Sequence, residues 1–439
     1  MSEWREVKIG DIAEKIAMGP FGSNIKVETF VETGIPIISG AHLHESRLRD
    51  GEYNYVTEDH AERMKNSIVF RGDVILTYAG SIGDVAYIPD SSRFEKYVIS
   101  QRQFYLRCKL NQADPRFITY FFHSPEGKYK LLANTSQTGV PMIGQPSSYL
   151  KSIPILLPPL HEQKAIAHIL GTLDDKIDQL RKTNSVLEDM ASALFKSWFV
   201  DFDPVKAKLE NRPTGLPKDL DDLFPDSFED SALGPIPKGW RVGNLSECSK
   251  LNPESWTQRS RPDRISYVDL SNTKWGRIDC VTEFIADDAP SRAQRVLRPL
   301  DTIVGTVRPG NGSFAFISDN GLTGSTGFAV LRPLRREHAE FVYLAATSID
   351  NIERLSNLAD GGAYPAVRPE VVSMTLVSIA THGVLDEFSQ LVGSMMRRIA
   401  ENVRISNTLT NLRDTLLPKL ISGDLRVSEA EQMVAELGL

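Results

Sequence analysis

His161-Glu162 opens like a zinc-binding helix in which a second histidine follows one turn later, but Ala165 stands at that place. His42 and His44 are metal-capable side chains with no third ligand nearby, an ordinary loop composition. Asp114-Pro115-Arg116-Phe117 is a poor copy of an adenine-methyltransferase loop: Arg replaces the second Pro, and no Gly-rich methyl-donor segment accompanies it. A Gly-x-x-x-x-Gly-Lys-Ser/Thr phosphate loop and a strand-following Gly-x-Gly-x-x-Gly are both missing. Catalysis, metals and cofactors therefore find no support, and the chain reads as something other than an enzyme.

Binding chemistry has better candidates. Gly19-Pro20-Phe21-Gly22-Ser23-Asn24, with Lys26 close behind, is a Gly-rich turn able to bring backbone N–H groups to a phosphate. Arg102 and Gln103 lie in the polar run Ser100-Gln101-Arg102-Gln103, and Gln137 and Thr138 lie in Asn134–Gly139; His42 joins these as a candidate contact. In the second half, Arg259, Arg261 and Arg264 follow Ser255-Trp256-Thr257-Gln258. Arg308-Pro309-Gly310-Asn311-Gly312-Ser313 makes a polar loop, and Ser325 and Tyr364 complete the set. Arg can fork to guanine and Asn or Gln to adenine, so these types at loop tips suit base readout. Plain turns and a solvated Arg-rich face explain the same residues equally well.

The elements that would position them occur twice. Gly72-Asp73-Val74-Ile75-Leu76 answers Leu300-Asp301-Thr302-Ile303-Val304, Tyr105-Leu106-Arg107 answers Val330-Leu331-Arg332, and Val140-Pro141 answers Tyr364-Pro365. Each copy opens at a Trp-Arg pair, Trp4-Arg5 and Trp240-Arg241, reads as strands separated by Gly and Pro turns, and closes in a long helix. Pro115–Phe122 is expected to be a helix packed on the first sheet. From His161 to Phe199, Ile166, Leu170, Leu173, Ile177, Leu180, Asn184, Leu187, Ala191 and Leu194 keep a coiled-coil seam. The helix would be roughly 57 Å long at ~1.5 Å per residue. Phe388, Val392, Met395, Ile399, Leu409 and Leu416 keep step with it at one offset; Asn402, Ser406 and Arg413 interrupt that second seam, and Pro418 is expected to end it.

With 439 residues and 41% hydrophobic content the chain can fill two or three cores. No apolar run approaches the ~20 residues that span a bilayer, and no signal peptide is evident, so a soluble cytoplasmic protein is expected. Cys108, Cys248 and Cys280 are odd in number and widely spaced, and are expected to be buried thiols. The net charge of −7 argues mildly against nucleic acid, yet acids cluster between Asp219 and Asp230, while residues 240–336 carry four more Lys and Arg than Asp and Glu. Six prolines in 201–239 suit an extended connector, with Phe202, Phe224 and Phe228 lying on something. Such a connector would let the two helices pack antiparallel, giving a rod with a globule at each end and a pseudo-twofold axis.

Leu157-Pro158-Pro159-Leu160-His161-Glu162-Gln163-Lys164-Ala165-Ile166, running on to Leu194–Phe199, resembles the central conserved region of the DNA-specificity subunits of type I restriction-modification systems. Leu412–Leu420 with Ser422-Gly423 resembles the distal counterpart, and Gly19–Ser23 and Phe202-Asp203-Pro204-Val205 are similar to segments of members. The resemblance covers nearly the whole chain and departs mainly at Thr381-His382-Gly383-Val384, where the first helix's Pro158–Gln163 opening is not echoed.

What it implies is a mixed α/β fold with two target-recognition domains, 1–157 and 240–380, at opposite ends of a long antiparallel two-helix coiled coil (158–200 and 381–418). A connector (201–239) and a tail (419–439) complete the chain. Each domain would read one half of a split double-stranded DNA site, with the helices as a ruler of roughly 17 base pairs at ~3.4 Å per step. Members bind two methyltransferase subunits and often two motor-nuclease subunits; no cofactor and no membrane are implied. A self-sufficient adenine methyltransferase and a protein-assembly scaffold are the competing readings.

Overall fold

A computed structural model describes residues 4–20, 24–136, 139–257, 259–436 and 438. The chain divides into two compact units, one formed by 1–179 with 405–439 and the other by 180–404.

Short runs of buried residues build the same pair of sheets in each unit. In the first, Ala13–Met18, Gln103–Cys108, Val74–Thr77 and Val85–Tyr87 lie side by side in that order, antiparallel throughout. In the second, Ser249–Leu251, Phe328–Pro333, Thr302–Gly305 and Phe314–Phe316 repeat the order and the sense. The companion sheets, Tyr55–Val56, Ile35–Ile38, Lys96–Ile99, Ile68–Phe70 and Thr282–Ile285, Arg264–Val268, Leu322–Ser325, Ala293–Val296, each contain one parallel pair in the middle. Each unit is closed by its opening strand, Arg5–Lys8 or Arg241–Asn244, pairing with the strand that precedes a long helix.

The repeat extends to side chains. Asp73 is buried and takes a two-pronged fork from Arg107 at 2.8 and 2.6 Å; Asp301 takes the same fork from Arg332 at 2.8 and 2.8 Å. These bonds raise both arginines' pKa values, while burial pushes Asp73 upward against the pull of Arg107. The residue before each aspartate is left-handed, Gly72 at φ 86 and Leu300 at φ 77. A helical hairpin follows in both: Pro115–His123 then Pro125–Leu132, and Ala339–Thr347 then Ile349–Asn357. Ser124 and Ser348 cap the second helices, each accepting a backbone N–H three residues on. Asp114 caps the Pro115 helix and binds Arg116, so its carboxylate serves helix initiation.

The first long helix runs Leu160–Phe195 and continues as a wider turn, Lys196–Val200. Its start is fixed by Gln163, wholly buried, which accepts from Asp114 N and donates to Gln112 O and Pro158 O. In the first unit Ile166, Leu170, Leu173, Ile177, Leu409 and Leu416 are buried, each worth roughly 1.5–3 kcal/mol. There Asp174 gathers Ser46, Tyr120 and Arg413 at 2.7, 2.7 and 2.8 Å, while Arg47 grips Asp175 and Asp178. Burial lowers the Arg47 and Arg413 pKa values, but these carboxylates outweigh it and the net direction is upward.

In the second unit Leu180, Phe388 and Val392 are buried, and Leu187, Leu194, Met395 and Ile399 are half-buried. Asn402, wholly buried, donates to Asn184 at 2.7 Å. Asn402 and Arg413, two of the three polar residues that interrupt the second seam, are thus answered by Asn184 and Asp174 of the first helix. Phe195–Phe388 and Asn184–Asn402 run in opposite chain directions, so the helical segments of this unit are antiparallel.

Three expectations are corrected. The second long helix, His382–Ser422, passes through Pro418. The ring forfeits one backbone bond, and Leu416, Leu417, Leu420 and Ile421, all buried, hold the final turn. Residues 201–239 are not simply extended: Asp203–Leu209 and Lys218–Asp221 are helical, and Val205, Phe224 and Ile236 enter the second unit's core with Phe202 and Phe228 packed against it. Cys108 and Cys248 are buried, but Cys280 is exposed because it follows the short strand Arg277–Ile278 in a surface loop. No helix among the described residues is long and apolar enough to cross a membrane.

Candidate nucleic-acid interface

In the first unit the polar stretches converge on one edge, Tyr78–Gly80. Ser100 and Gln103 close a tight turn whose tip carries Gln101 and exposed Arg102; Tyr78 N donates to Arg102 O at 3.0 Å and Tyr78 OH to Gln101 O at 2.9 Å. Gly19 donates to Gln103 O at 2.7 Å and comes so near that a Cβ there would lie 2.0 Å from Ser100 O, which explains a glycine at the head of that loop. Gly80 N donates to Pro141 O, and Thr135–Ser136 pairs with Met142–Ile143. A cleft of about 310 Å³ opens here, lined by Ile25, Ser39, Thr77, Ser81 and the Ser100–Gln103 turn.

Gln103 is wholly buried, its Oε1 accepting from Ser100 N at 3.0 Å while its Nε2 has no partner. Asn24 and Lys26 are exposed, and Asn24 O accepts from His60. His42 is buried, stacked on Tyr53 at 4.5 Å, with Nδ1 against Ser39 and Nε2 against Glu52 O, so both ring nitrogens are engaged internally. Ser23, Gln137 and Thr138 lie outside the described residues.

In the second unit Arg308 sits at φ 47 on the edge that corresponds to Gly80. Its N–H donates to Pro365 O at 2.7 Å as Gly80 does to Pro141, and the bridge Val307–Ala366 repeats Ala79–Met142. The Arg308 guanidinium stacks 4.6 Å above the ring of Tyr364, which is 71% exposed, and donates to Ala363 O at 2.6 Å. Asn311 is exposed, whereas Ser313 is buried and donates to Leu270 O. The loop is a formed turn, Pro309–Asn311, rather than a slack one. Ser325, also buried, accepts from Gly327 N.

Arg259, Arg261 and Arg264 belong to the companion sheet and its approach. Arg259 and Arg264 are exposed, and Arg261 donates to Pro290 O and Ala293 O. Sequence reasoning passed over Trp275, half-exposed at φ 47, whose N–H donates to Gly312 O at 2.6 Å. The Trp275-Gly276 pair was its only signal. Among the described residues no group of His, Cys, Asp and Glu could hold a metal.

Two like α/β frames with differing polar edges, each including parts of two long helices, define a protein with an internal structural repeat. Residues 1–189 match the family described as the type I restriction modification DNA specificity domain. The chain is 23% identical to the type I restriction enzyme HindI specificity subunit of Haemophilus influenzae, across 97% of this chain and 100% of that one. It is 24% identical to the MjaIX specificity subunit of Methanocaldococcus jannaschii, across 97% and 94%. The S subunit from M. genitalium shares the fold, with a TM-score of 0.56 at 17% identity over 95% of this chain and 96% of that one. Residues 1–189 thus match the DNA specificity domain family, and the chain is similar over nearly its whole length to type I restriction enzyme specificity subunits.

Proposed function

We propose that this subunit recognises a split duplex DNA site, with target-recognition domains at 1–157 and 240–380 each reading one half. The observation that carries this reading is the repeated frame: Gly80–Pro141 and Arg308–Pro365 occupy one place in two copies, with different side chains offered outward. Divergent loops on a constant frame suit two unlike half-sites. The paired helical segments are the surface offered to two methyltransferase subunits and to motor-nuclease subunits, in the cytoplasm, where the DNA is.

Adenine-methylation mapping across the genome, with and without the gene, tests it. The expected result is a split motif that is methylated only when the gene is present. An unchanged methylome would overturn the reading.

A further inference from the structure

The two edges exchange an arginine and a glycine. Backbone bonds set the correspondence: Tyr78 N to Arg102 O matches Thr306 N to Gly327 O, and Gly80 N to Pro141 O matches Arg308 N to Pro365 O. Where the first unit has Arg102 facing Gly80, the second therefore has Gly327 facing Arg308. Arg102 Nη1 lies 3.4 Å from the point a Gly80 Cβ would occupy. Each unit thus brings one guanidinium to the same corner of the frame, from turns that flank different strands. No carboxylate pairs with Arg102 or Arg308 among the described residues, in contrast to Arg107, Arg332, Arg47 and Arg413.

Both environments favour a planar acceptor edge. The stack on Tyr364 and the bond to Ala363 O hold the Arg308 fork in one plane, with four of its five N–H donors left over. Arg308 stands there although its left-handed backbone costs a non-glycine residue roughly 1 kcal/mol or more. Beside Arg102, Gln103 is wholly buried with its Oε1 bound by Ser100 N, so it is not presented for the two-way pairing glutamine makes with adenine. The corner offers donors.

We propose that Arg102 and Arg308 are counterpart specificity-determining residues, each forking to the N7 and O6 of a guanine in its own half-site. This rests on the split-site reading above.

The test is motif mapping in cells carrying Arg102→Ala or Arg308→Gly in the full complex. Arg308→Gly copies the first unit's own residue at that place and relieves the backbone. Each variant is expected to relax one guanine position in one half only, with roughly ten- to hundredfold lost discrimination there. In binding assays of the wild-type complex, 7-deazaguanine at those positions should weaken binding about tenfold, a readout independent of how any variant folds. Uniform weakening with no relaxed base would make these phosphate contacts and overturn the proposal, as would relaxation at a non-guanine position or no loss with 7-deazaguanine. If wild-type cells show no gene-dependent motif, it is the split-site reading that fails.

Discussion

The two units differ least where they are buried and most along one exposed edge. Asp73 takes the same fork from Arg107 that Asp301 takes from Arg332, and Ser124 and Ser348 cap equivalent helices. At the edge, a glycine facing an arginine becomes an arginine facing a glycine. The buried pairs fix the backbone, so the edge is free to change what it offers without disturbing the sheet beneath it.

The harshest way to break this comparison is to remove one fork. Arg107→Leu or Arg332→Leu leaves a buried carboxylate unpaired, and each is expected to destabilise its own unit by about 3 kcal/mol or more in urea unfolding. A unit that tolerated the change would show the frames are not held alike. In the helical seam, Asn184→Leu strands the buried Asn402 amide and should cost about 1–3 kcal/mol, while adding Asn402→Leu should recover most of it.

The left-handed turn sharpens the comparison further. Gly72→Ala should cost about 1 kcal/mol because of its φ of 86. Leu300→Gly relieves the same strain against a half-buried side chain and should stay within about 0.5 kcal/mol of the parent.

The smallest effect is at the thiols, where burial pushes Cys108 up to about 12 and Cys248 up to about 11 from an ordinary 9.0. The unfolded thiols ionise first, so the stability they contribute is full below pH 9 and is lost as pH rises from there toward those values. Iodoacetamide at pH 8 should label Cys280 alone, read by mass spectrometry.

Periodicity and spacing made the repeat legible: Asp73 and Asp301, and Arg107 and Arg332, were aligned from sequence because short strands on both sides fix their offset. The long helices were legible for the same reason. Pro418 misled because a local breaker is overruled when four buried side chains clamp the turn around it. The prolines of 201–239 misled because Phe224 and Ile236 find a core that composition does not reveal. The Arg102 and Arg308 correspondence was not legible, since the residues flank different strands and only backbone pairing brings them to one corner. His42, expected as a loop residue and candidate contact, is instead buried and stacked on Tyr53.

The most direct test of two readers on one frame is a competition gel shift of the assembled complex, using the intact split site and duplexes with the left half, the right half or both scrambled. The account predicts that either single scramble weakens binding markedly and that scrambling both leaves only salt-sensitive, sequence-independent affinity. Equal binding to all four duplexes would contradict it.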